Sequence, residues 1–455
     1  MRIRVTPGSS LSGQATVPGD KSIAHRWLIF AATATGTSRL VGLPASLDVR
    51  STASCLAAVA PKAGPALELW ARKGGSPVED GGSTWNAVAE ERVGVTVEVE
   101  GEGRQGWVQP SDDLDCGNSG TSMRLLAGVL ASVPLRSVLV GDVSLSTRPM
   151  ERVADPLRRM GAVVVTADGH PPIVVEGGHL VGIHHPITTP SAQVKGAVLL
   201  AGLAATGETT VTEPVATRDH TERLIGALGL PIRIHAGAVT VDAGEHEAFA
   251  GEIPGDVSSA AFLIAAAALT GSALTVVDVG LNPTRLHFLE VMGRMGIVTQ
   301  ARVDRQEMGE PVGALHVDAD AEIRPVDVRE DELPLVIDEV PILALLAAHA
   351  NGTSRFEGAD ELRLKESDRV GSTVEGVRGL GGDAAAERSD LVIAGGGLVG
   401  GSASAAGDHR IAMALAVGAL AAGAPCEIDG MEAAMVSFPG FVALLGRLGA
   451  RLEIL

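Results

Sequence analysis

Residues 258–280 read SSAAFLIAAAALTGSALTVVDVG, and residues 285–296 continue with RLHFLEVMGRMG. The stretch predicts a helix of small apolar residues, then a Val- and Thr-rich strand, then a second helix that ends near a Gly. The first helix is apolar on every face, so we expect it to be buried. Its unbroken apolar run, residues 260–269, is far shorter than the roughly 20 residues of a membrane span.

The same order of segments recurs six times along the chain. The buried helices are predicted to begin near Asp20, Gly117, Ser191, Asp256, Asp338 and Asp408. Self-similarity with a period of roughly 70 residues indicates repeated supersecondary units that pack together. The alternation of helices and strands predicts an α/β fold, and six units predict two similar halves of three units each.

Length and charge narrow the class of protein. A chain of 455 residues exceeds what one hydrophobic core usually organises, which favours two or three domains. A net charge of −19 disfavours nucleic acid and anionic membranes as partners, whereas an anionic small molecule needs only a local group of cations. The N-terminus has no apolar segment of the signal-peptide kind, and three Cys cannot all pair, so we expect a cytoplasmic protein.

Two stretches interrupt the repeat. The first unit is about 25 residues longer than the others, and the excess coincides with the Gly-, Pro- and Ala-rich residues 61–90. We predict a surface insertion there, with a lid over a site as the less favoured alternative. The second stretch, residues 244–256, separates units three and four, and we predict that the chain crosses between domains there.

Polar motifs open several of the predicted helices. PGDKSIAHR at 18–26 combines a Pro-Gly turn with Lys21, Ser22 and Arg26 at a helix start, which suits an anion, although an ordinary capped surface helix has the same features. DCGNSGT at 115–121, with Arg124 beyond it, offers a second such entrance. A third motif, STRPM at 146–150, places one Arg after a strand.

Further charged motifs are IDE at 337–339, RLKESDR at 363–369 and GDHR at 407–410. Taken singly, such clusters are usually surface salt bridges. Their recurrence at equivalent points of successive units instead predicts that they meet in one cleft. Several cations with two carboxylates suit proton transfer on a multiply anionic substrate.

Other signals point away from cofactors. GGGLVG at 395–400 lacks the helix and the acidic residue of a dinucleotide-binding fingerprint, so we predict a β-hairpin turn. No GxxxxGK[ST] phosphate loop is present. The pair His184-His185 has no further ligand at a suitable spacing, and the three Cys are dispersed, so no metal site is predicted.

Ten motifs, in order over nearly the whole chain, resemble those of the EPSP synthase (3-phosphoshikimate 1-carboxyvinyltransferase) family of enolpyruvyl transferases. They are PGDKSIAHR, LDCGNSGTSMRLL, SLSTRPM, SAQVKGAVLLAGL, TRDHTERL, GDVSSAAF, IDEVPIL, ELRLKESDR, GDHRIAMA and SFPGF. The resemblance implies an inside-out α/β barrel fold of two domains, each with three βαβαββ units around buried helices. It implies one domain at 19–253, a second formed by 1–18 with 254–455, and an active site in the cleft between them. Residues 61–90 have no recognised counterpart.

The resemblance also implies a reaction. The family transfers the carboxyvinyl group of phosphoenolpyruvate to the 5-hydroxyl of shikimate 3-phosphate and releases phosphate, the sixth step of the shikimate route to chorismate. The reaction proceeds by addition and elimination through a tetrahedral ketal, with no metal or organic cofactor. Members are commonly monomers.

Site residues follow by matching motifs. Asp338 matches the base near the 5-hydroxyl, Glu366 the group that exchanges a proton at the methylene carbon, and Lys21 a group that shares the hydroxyl proton. The positions implied to contact phosphoenolpyruvate are Lys21, Asn118, Gly120, Thr121, Arg148, Arg369 and Arg410. Those implied to contact shikimate 3-phosphate are Lys21, Ser22, Arg26, Ser191, Ala192, Gln193, Arg218, Asp338 and Lys365.

A few positions depart from the family pattern. Val436 stands where many members have a Lys that touches phosphoenolpyruvate, so that contact is missing or supplied elsewhere. Ala24, Ala192 and Thr147 also differ from frequent family residues, but none of them replaces a proton-transfer group. Gly120 keeps the small residue associated with glyphosate sensitivity, which one position does not decide.

Two other functions remain open on the sequence. The sister enolpyruvyl transferase that acts on UDP-N-acetylglucosamine would require a Lys-Asn pair and a Cys in a mobile loop, whereas Lys21 precedes Ser22 and Cys116 lies in a helix entrance. A non-catalytic sensor of a phosphorylated ligand would not need both Asp338 and Glu366.

Overall fold

The computed structural model of the chain describes residues 1–73, 95–318 and 322–455. Its α-helices are α1 (Lys21–Thr33), α2 (Leu47–Val59), α3 (Gly64–Lys73), α4 (Gly120–Leu130), α5 (Glu151–Met160), α6 (Ala192–Gly202), α7 (His220–Ala227), α8 (Val257–Leu269), α9 (His287–Arg294), α10 (Leu333–Val336), α11 (Val340–Ala348), α12 (Arg369–Gly379), α13 (His409–Gly418) and α14 (Phe441–Leu448).

The strands of the N-terminal part are β1 (Arg2–Thr6), β2 (Gln14–Ala15), β3 (Thr35–Leu43), β4 (Val95–Glu102), β5 (Leu114–Asp115), β6 (Arg136–Val140), β7 (Val163–Ala167), β8 (His170–Glu176), β9 (Leu180–Val181), β10 (His184–Pro186), β11 (Ala205–Thr206), β12 (Thr209–Thr212), β13 (Ile232–His235), β14 (Ala238–Val241) and β15 (Ala250–Glu252). Those of the C-terminal part are β16 (Leu274–Gly280), β17 (Thr299–Glu307), β18 (Glu310–Val317), β19 (Asp327–Val328), β20 (Thr353–Phe356), β21 (Asp383–Glu387), β22 (Asp390–Ala394), β23 (Gly401–Ser404), β24 (Cys426–Asp429) and β25 (Arg451–Ile454).

One strand order recurs in the sheets. In each of these sheets the first strand is an edge strand that runs parallel to the second, and every later strand is antiparallel to the strand before it. The sheets with this order are β15-β3-β4, β5-β6-β8-β7, β10-β12-β14-β13, β2-β16-β18-β17, β19-β20-β22-β21 and β23-β24-β1-β25, where the described part of the first has three strands. The predicted α/β fold of six repeated units around buried helices is therefore confirmed.

The predicted helix openings agree with the observed caps to within two residues. Four of them are the N-cap residues themselves: Asp20, Ser191, Asp256 and Asp408. Each accepts a hydrogen bond from a backbone N–H two or three residues further on, as short polar side chains do at helix starts. In the other two units the caps are Ser119, two residues after Gly117, and Glu339, one after Asp338.

Two hydrophobic cores each surround three of these helices. One core contains α1, α4 and α6 within residues 23–253, and the other contains α8, α11 and α13 within residues 3–17 and 257–450. The helix predicted to be buried, α8, is buried at every residue except its last. No helix in the described ranges is both long and apolar enough to span a membrane. We propose that the two cores belong to two domains, 19–253 and 1–18 with 254–455.

Each core takes one edge strand from a segment next to the crossing. The second strand of the chain, β2, pairs with β16 of the fourth unit, whereas β15, which precedes the fourth unit, pairs with β3 of the first. The two connecting segments lie side by side with a bridge between Gly19 and Gly255. The Asp20 N–H donates to the Pro254 carbonyl at 2.7 Å, and the Asp256 N–H donates to the Pro18 carbonyl at 2.8 Å. The starts of α1 and α8 are thereby held next to each other.

The N-terminus completes the sixth sheet. Strand β1 lies between β24 and β25 and is antiparallel to both. Its Ile3 and Val5 are fully buried in the core that also holds α13. The last unit therefore takes one of its strands from the opposite end of the chain.

One of two local predictions is wrong, and the other, the surface insertion at 61–90, stays a prediction. The start of the stretch predicted as a surface insertion, 61–73, is a turn and a helix, α3, whose Leu67 and Trp70 are buried, while 74–90 lies outside the described residues. The loop at 395–400 joins β22 of the fifth sheet to β23 of the sixth, so the predicted β-hairpin turn is wrong. These two strands do not pair because each has other partners.

Candidate active site

A cavity of about 480 Å³ lies where the two cores face each other. Residues at the starts of all six buried helices line it: Lys21, Ser22, Thr121, Ala192, Gln193, Asp256, Asp338, His409 and Arg410. Helix N-termini carry unpaired N–H groups and the positive end of the helix dipole. Their convergence makes the cavity suited to several negative charges at once.

The charges of the lining residues agree with this. Nine lining residues of the described chain are Lys or Arg and six are Asp or Glu, although the whole chain carries −19. The nine are Lys21, Arg26, Arg124, Arg148, Arg152, Arg218, Arg285, Lys365 and Arg410. The cavity is thus a local cationic site in an acidic protein, as binding of a small anion requires.

Asp338 is surrounded by guanidinium groups. Arg218 donates to its Oδ2, the Arg369 Nη1 donates to its Oδ1 at 3.4 Å, and the Arg410 Nη1 donates to its backbone carbonyl at 2.9 Å. Burial alone would raise the pKa of Asp338, but the positive charges of Arg410, Arg218 and Lys365 hold that pKa well below its usual range. Without a ligand, Asp338 is a carboxylate.

Glu366 is the second carboxylate of the site. The Arg369 Nη2 donates to its Oε2 at 2.6 Å. Burial opposes the charge, but Arg369, His409 and Arg148 keep the pKa of Glu366 well below its usual range. Arg369 is itself buried, and its Nε donates to Asp408 at 2.8 Å, so it lies behind both carboxylates and not on the cavity surface.

Lys21, the first residue of α1, pairs with a residue that the sequence did not single out. Its Nζ donates to Asp48 Oδ2 on α2 at 2.6 Å. Burial lowers the pKa of Lys21, but the negative charges of Asp48 and Glu366 outweigh it and the pKa is raised. Lys21 is therefore a cation. Asp48 lies 27 residues further along the chain, in a helix without a recognisable polar motif.

The second Gly-rich entrance holds an Arg in place. The Arg148 Nη2 donates to Asn118 Oδ1 at 2.5 Å, and the Asn118 Nδ2 donates to Asp142 Oδ2 at 2.7 Å. A Cβ at Gly120 would lie 2.8 Å from the Arg124 Nη1, so a side chain there would displace that guanidinium. Arg148 lines the cavity, while Asn118 and Gly120 lie directly behind it.

The start of α6 joins the same wall. The Gln193 Nε2 donates to Thr121 Oγ1 at 2.8 Å, and Arg124 donates to Gln193 Oε1. Burial, together with the positive charges of Arg152 and Arg148, lowers the pKa of Arg124 to about 9, so at neutral pH it remains charged. Its Nε has no partner among the described residues.

On the opposite side, Arg26 points from α1 towards α7. Its Nε donates to Thr221 Oγ1 at 2.7 Å and its Nη1 to the Ser22 carbonyl at 2.7 Å. Burial lowers the pKa of Arg26 to about 10. Ser191 caps α6 nearby and lines the cavity.

Of the predicted site residues, all but three line this cavity, and those three, Asn118, Gly120 and Arg369, contact lining residues. Several lining residues had not been assigned a role, among them Arg152, Arg285 and His409. The pKa of His409 falls to about 4 because the ring is buried, so the ring is neutral at pH 7. Val436 does not line the cavity.

Comparison with known proteins gives consistent matches over the chain. The sequence model of the family described as EPSP synthase (3-phosphoshikimate 1-carboxyvinyltransferase) matches residues 5–63 and 84–445. A relative from Halorhodospira halophila, named 3-phosphoshikimate 1-carboxyvinyltransferase, is 44% identical over 99% of this chain and 97% of its own. One of the same name from Legionella pneumophila is 41% identical over 98% of each chain.

Solved structures are similar as well. An EPSP synthase from Acinetobacter baumannii has a TM-score of 0.81 and 37% identity, with 99% of each chain covered. The enolpyruvyl transferase NikO from Streptomyces tendae has a TM-score of 0.71 at 20% identity, with 99% of this chain and 98% of its own covered, a likeness of fold alone.

Proposed function

The chain belongs to the EPSP synthase family, and we propose that the cavity between its two cores is where it carries out the reaction of that family. It is a transferase that moves the carboxyvinyl group of phosphoenolpyruvate to the 5-hydroxyl of shikimate 3-phosphate and releases phosphate in the shikimate pathway. The family and the reaction expected from the motifs are thus confirmed. The roles of individual residues are the proposal.

One observation carries this proposal: six helix N-termini and nine cationic side chains meet in one cavity that also contains Asp338 and Glu366. The two substrates together bring two carboxylates and two phosphates. Their mutual repulsion would prevent joint binding unless cations surround them. Arg pairs well with both kinds of anion because its fork of N–H donors matches their oxygens.

The proposed contacts divide the cavity between the substrates. Phosphoenolpyruvate is bound by cations beside Glu366, with the second Gly-rich entrance around it: Lys21, Asn118, Gly120, Thr121, Arg148, Arg369 and Arg410. Shikimate 3-phosphate is bound by the start of α6 and the opposite wall: Lys21, Ser22, Arg26, Ser191, Ala192, Gln193, Arg218, Asp338 and Lys365. Val436, which stands where many family members have a Lys, does not line the cavity. Lys365 does line it.

In the addition step Glu366, in its protonated form, gives a proton to the methylene carbon of phosphoenolpyruvate. The neighbouring carbon becomes electrophilic, and the 5-hydroxyl oxygen adds to it while Asp338, assisted by Lys21, accepts the hydroxyl proton. The product is a tetrahedral ketal. In the elimination step Glu366 takes a proton back from the new methyl group, the bond to phosphate breaks, and the proton held by Asp338 leaves with phosphate.

Glu366 must gain a proton for this step, although it is ionised in the empty cavity. Phosphoenolpyruvate brings negative charge next to Glu366 and engages Arg369, Arg148 and Lys21. Once the charges of these positive neighbours are neutralised, the pKa of Glu366 rises and the side chain takes up a proton. The same exchange frees Asp338 from Arg369 and Arg410, which makes it a stronger base.

We also propose that the protein acts as a cytoplasmic monomer without a cofactor. One chain supplies both walls of the cavity, and the three Cys are free thiols. The reaction moves protons and a carboxyvinyl group and transfers no electrons, so its chemistry requires no redox group.

The test is phosphate release by the purified protein with phosphoenolpyruvate and either shikimate 3-phosphate or UDP-N-acetylglucosamine, with Asp338→Ala beside it. Phosphate release with shikimate 3-phosphate but not with UDP-N-acetylglucosamine as the acceptor, and its loss in the variant, would support the proposed site. Full activity in the variant would refute the role of Asp338. Release with the UDP-sugar would favour the sister enolpyruvyl transferase. Binding of shikimate 3-phosphate without turnover would favour a sensor.

A further inference from the structure

Arg285 lies buried at the point where the chain crosses between the two cores. It ends the short helical turn Pro283–Arg285 that follows β16. Its Nη1 donates to Asp20 Oδ2 at 3.2 Å, and its Nη2 donates to Asp256 Oδ1 at 3.3 Å. Asp20 and Asp256 are the N-caps of α1 and α8, one helix from each core. A single guanidinium thus joins the starts of two corresponding helices.

The connection extends to a third helix start. The Arg285 Nη2 also donates to Ser258 Oγ at 2.6 Å, and the Ser258 hydroxyl donates to Glu339 Oε1. Glu339 is the N-cap of α11. A hydroxyl has one donor and two acceptor sites, so Ser258 can serve both partners at once.

These contacts reach the residues next to two proposed catalytic groups. Asp20 directly precedes Lys21, and Glu339 directly follows Asp338. We propose that Arg285 is a positioning residue that sets the distance between Lys21 and Asp338 across the cavity. The proposal rests on the roles given to Lys21 and Asp338 above.

The chemistry of the cluster calls for Arg in particular. Three buried carboxylates, Asp20, Asp256 and Glu339, surround it, and a planar fork donates to two separate caps and a hydroxyl simultaneously. The ammonium of a Lys is a single point of charge, so it would hold one cap and release the other. Burial disfavours the charge of Arg285, but Asp20 and Asp256 raise its pKa, so it stays a cation.

Both the backbone and Arg285 hold the helix starts of the two cores in place. The paired hydrogen bonds between residues 18–20 and 254–256 fix the main chain at the crossing. They do not reach α11, which carries Asp338 just ahead of its first turn. Arg285 with Ser258 supplies that link. A loss of this link would misplace the base relative to Lys21 without removing any of the substrate contacts proposed above.

The experiment compares Arg285→Lys with Arg223→Gln. Arg223 also joins the two cores, since its Nη1 donates to the Gly309 carbonyl at 3.0 Å while its Nε donates to the nearby Asp219 at 2.8 Å, but it contacts none of the three caps. We expect Arg285→Lys to lower kcat about 100-fold, as misplacement by ~1 Å does, with both KM values within about 3-fold. We expect Arg223→Gln to leave kcat within about 2-fold. An unchanged kcat in Arg285→Lys would overturn the proposal.

A second set of variants separates positioning from stability. Arg285→Gln leaves Asp20 and Asp256 without the cation that they share and is expected to unfold more readily. Combining it with Asp256→Asn removes one of these charges, so the double variant should regain thermal stability and binding of shikimate 3-phosphate but not kcat. If kcat returns together with stability, Arg285 is only structural and the proposal fails. Asp256→Asn alone is the reference.

Asp338→Asn distinguishes this proposal from the proposed function. If that variant keeps the full kcat, the catalytic roles are wrong and the positioning role is refuted with them. If it loses kcat while Arg285→Lys does not, only the positioning role is refuted. If both lose kcat, Arg285→Lys in the Asp338→Asn background should cost less than about 3-fold, because the group to be positioned is already absent. A full 100-fold cost in that background would contradict positioning of Asp338.

Discussion

At the scale of single residues, the site depends on carboxylates whose charge is stabilised by neighbouring cations. Asp338 and Glu366 are partly enclosed, yet both are ionised, Asp338 because of the positive charges of Arg410 and Arg218 and Glu366 because of that of Arg369. Removing one partner of such a pair leaves the other charge uncompensated in a region of low dielectric constant. The same pairs that keep the empty cavity stable must therefore open when substrates bind.

Replacing the proposed base tests this most directly. Asp338→Asn keeps the size of the side chain but cannot accept the hydroxyl proton, so we expect kcat to fall about 10²- to 10⁴-fold. Glu361→Gln is the matched control, because Glu361 also lines the cavity and pairs with an Arg, Arg152 at 3.2 Å, but has no proposed proton role. Its kcat should stay within a few-fold of the parent protein. Steady-state phosphate release measures both, and equal losses would contradict the assignment.

Proton uptake on binding tests the role of Glu366. Its pKa is well below the usual range in the empty cavity, and we expect phosphoenolpyruvate to raise that pKa, so a proton must be taken up on binding. The measurement is titration calorimetry of phosphoenolpyruvate into the Asp338→Asn protein with shikimate 3-phosphate, in buffers of different ionisation enthalpy at pH 7. Adding Glu366→Gln should reduce the uptake by up to about one proton. No difference between the two proteins would exclude this proton-transfer role.

At the scale of elements, the buried helices approach one another closely because their contact faces are made of small residues. A Cβ at Gly128 of α4 would lie 2.7 Å from the Ala197 Cα of α6. That atom belongs to the backbone and cannot rotate away. The small residues of these helices thus determine how tightly three of them fit inside one core.

Gly-to-Ala changes at two helical positions should have opposite effects. Gly128→Ala overpacks the α4–α6 contact and should lower the free energy of unfolding by about 1–3 kcal/mol. Gly446→Ala on the exposed face of α14 meets nothing within 4 Å, so the lower backbone entropy of Ala should raise that free energy by up to about 1 kcal/mol. Urea unfolding measures both. Equal effects would show that the close approach of α4 and α6 does not limit stability.

At the scale of the whole molecule, both ends of the chain and both crossings determine the assembly. Strand β1 is central in the sixth sheet, and β2 and β15, which lie next to the two crossings, pair with β16 and β3 respectively. The cavity takes residues from the starts of helices in both cores. A substitution that destabilises one core should therefore also disturb the active site, even when no lining residue is changed.

A pair of Ile residues facing each other in the sixth sheet tests the contribution of the N-terminus. Ile3 of β1 is fully buried and lies opposite Ile454 of β25, which is 50% exposed. Ile3→Ala should lower the free energy of unfolding by about 2–5 kcal/mol and the temperature at which activity is lost. Ile454→Ala should stay within about 0.5 kcal/mol. Thermal unfolding followed by residual activity checks both, and a similar small effect of the two would mean that β1 is dispensable.

Much of the site was predictable because its residues lie in local motifs at helix starts. The helix openings were correct to within two residues, and the motifs around Lys21, Arg148, Glu366 and Arg410 all reach one cavity. Partners such as Asp48 were not predictable, because it belongs to a helix without a polar motif and meets Lys21 only after α1 and α2 have packed. Arg285 was missed for the same reason.

Period, composition and local motifs are properties of short stretches, so the repeat, the burial of the small-residue helices, the family and the reaction could all be predicted from the sequence. The pairing of strands that lie far apart in the chain, β1 with β24 and β25, β2 with β16 and β15 with β3, follows from the tertiary structure. The tertiary structure also decided which carboxylate each cation pairs with. Those choices depend on the packing of segments hundreds of residues apart, whose mutual contacts no local pattern encodes.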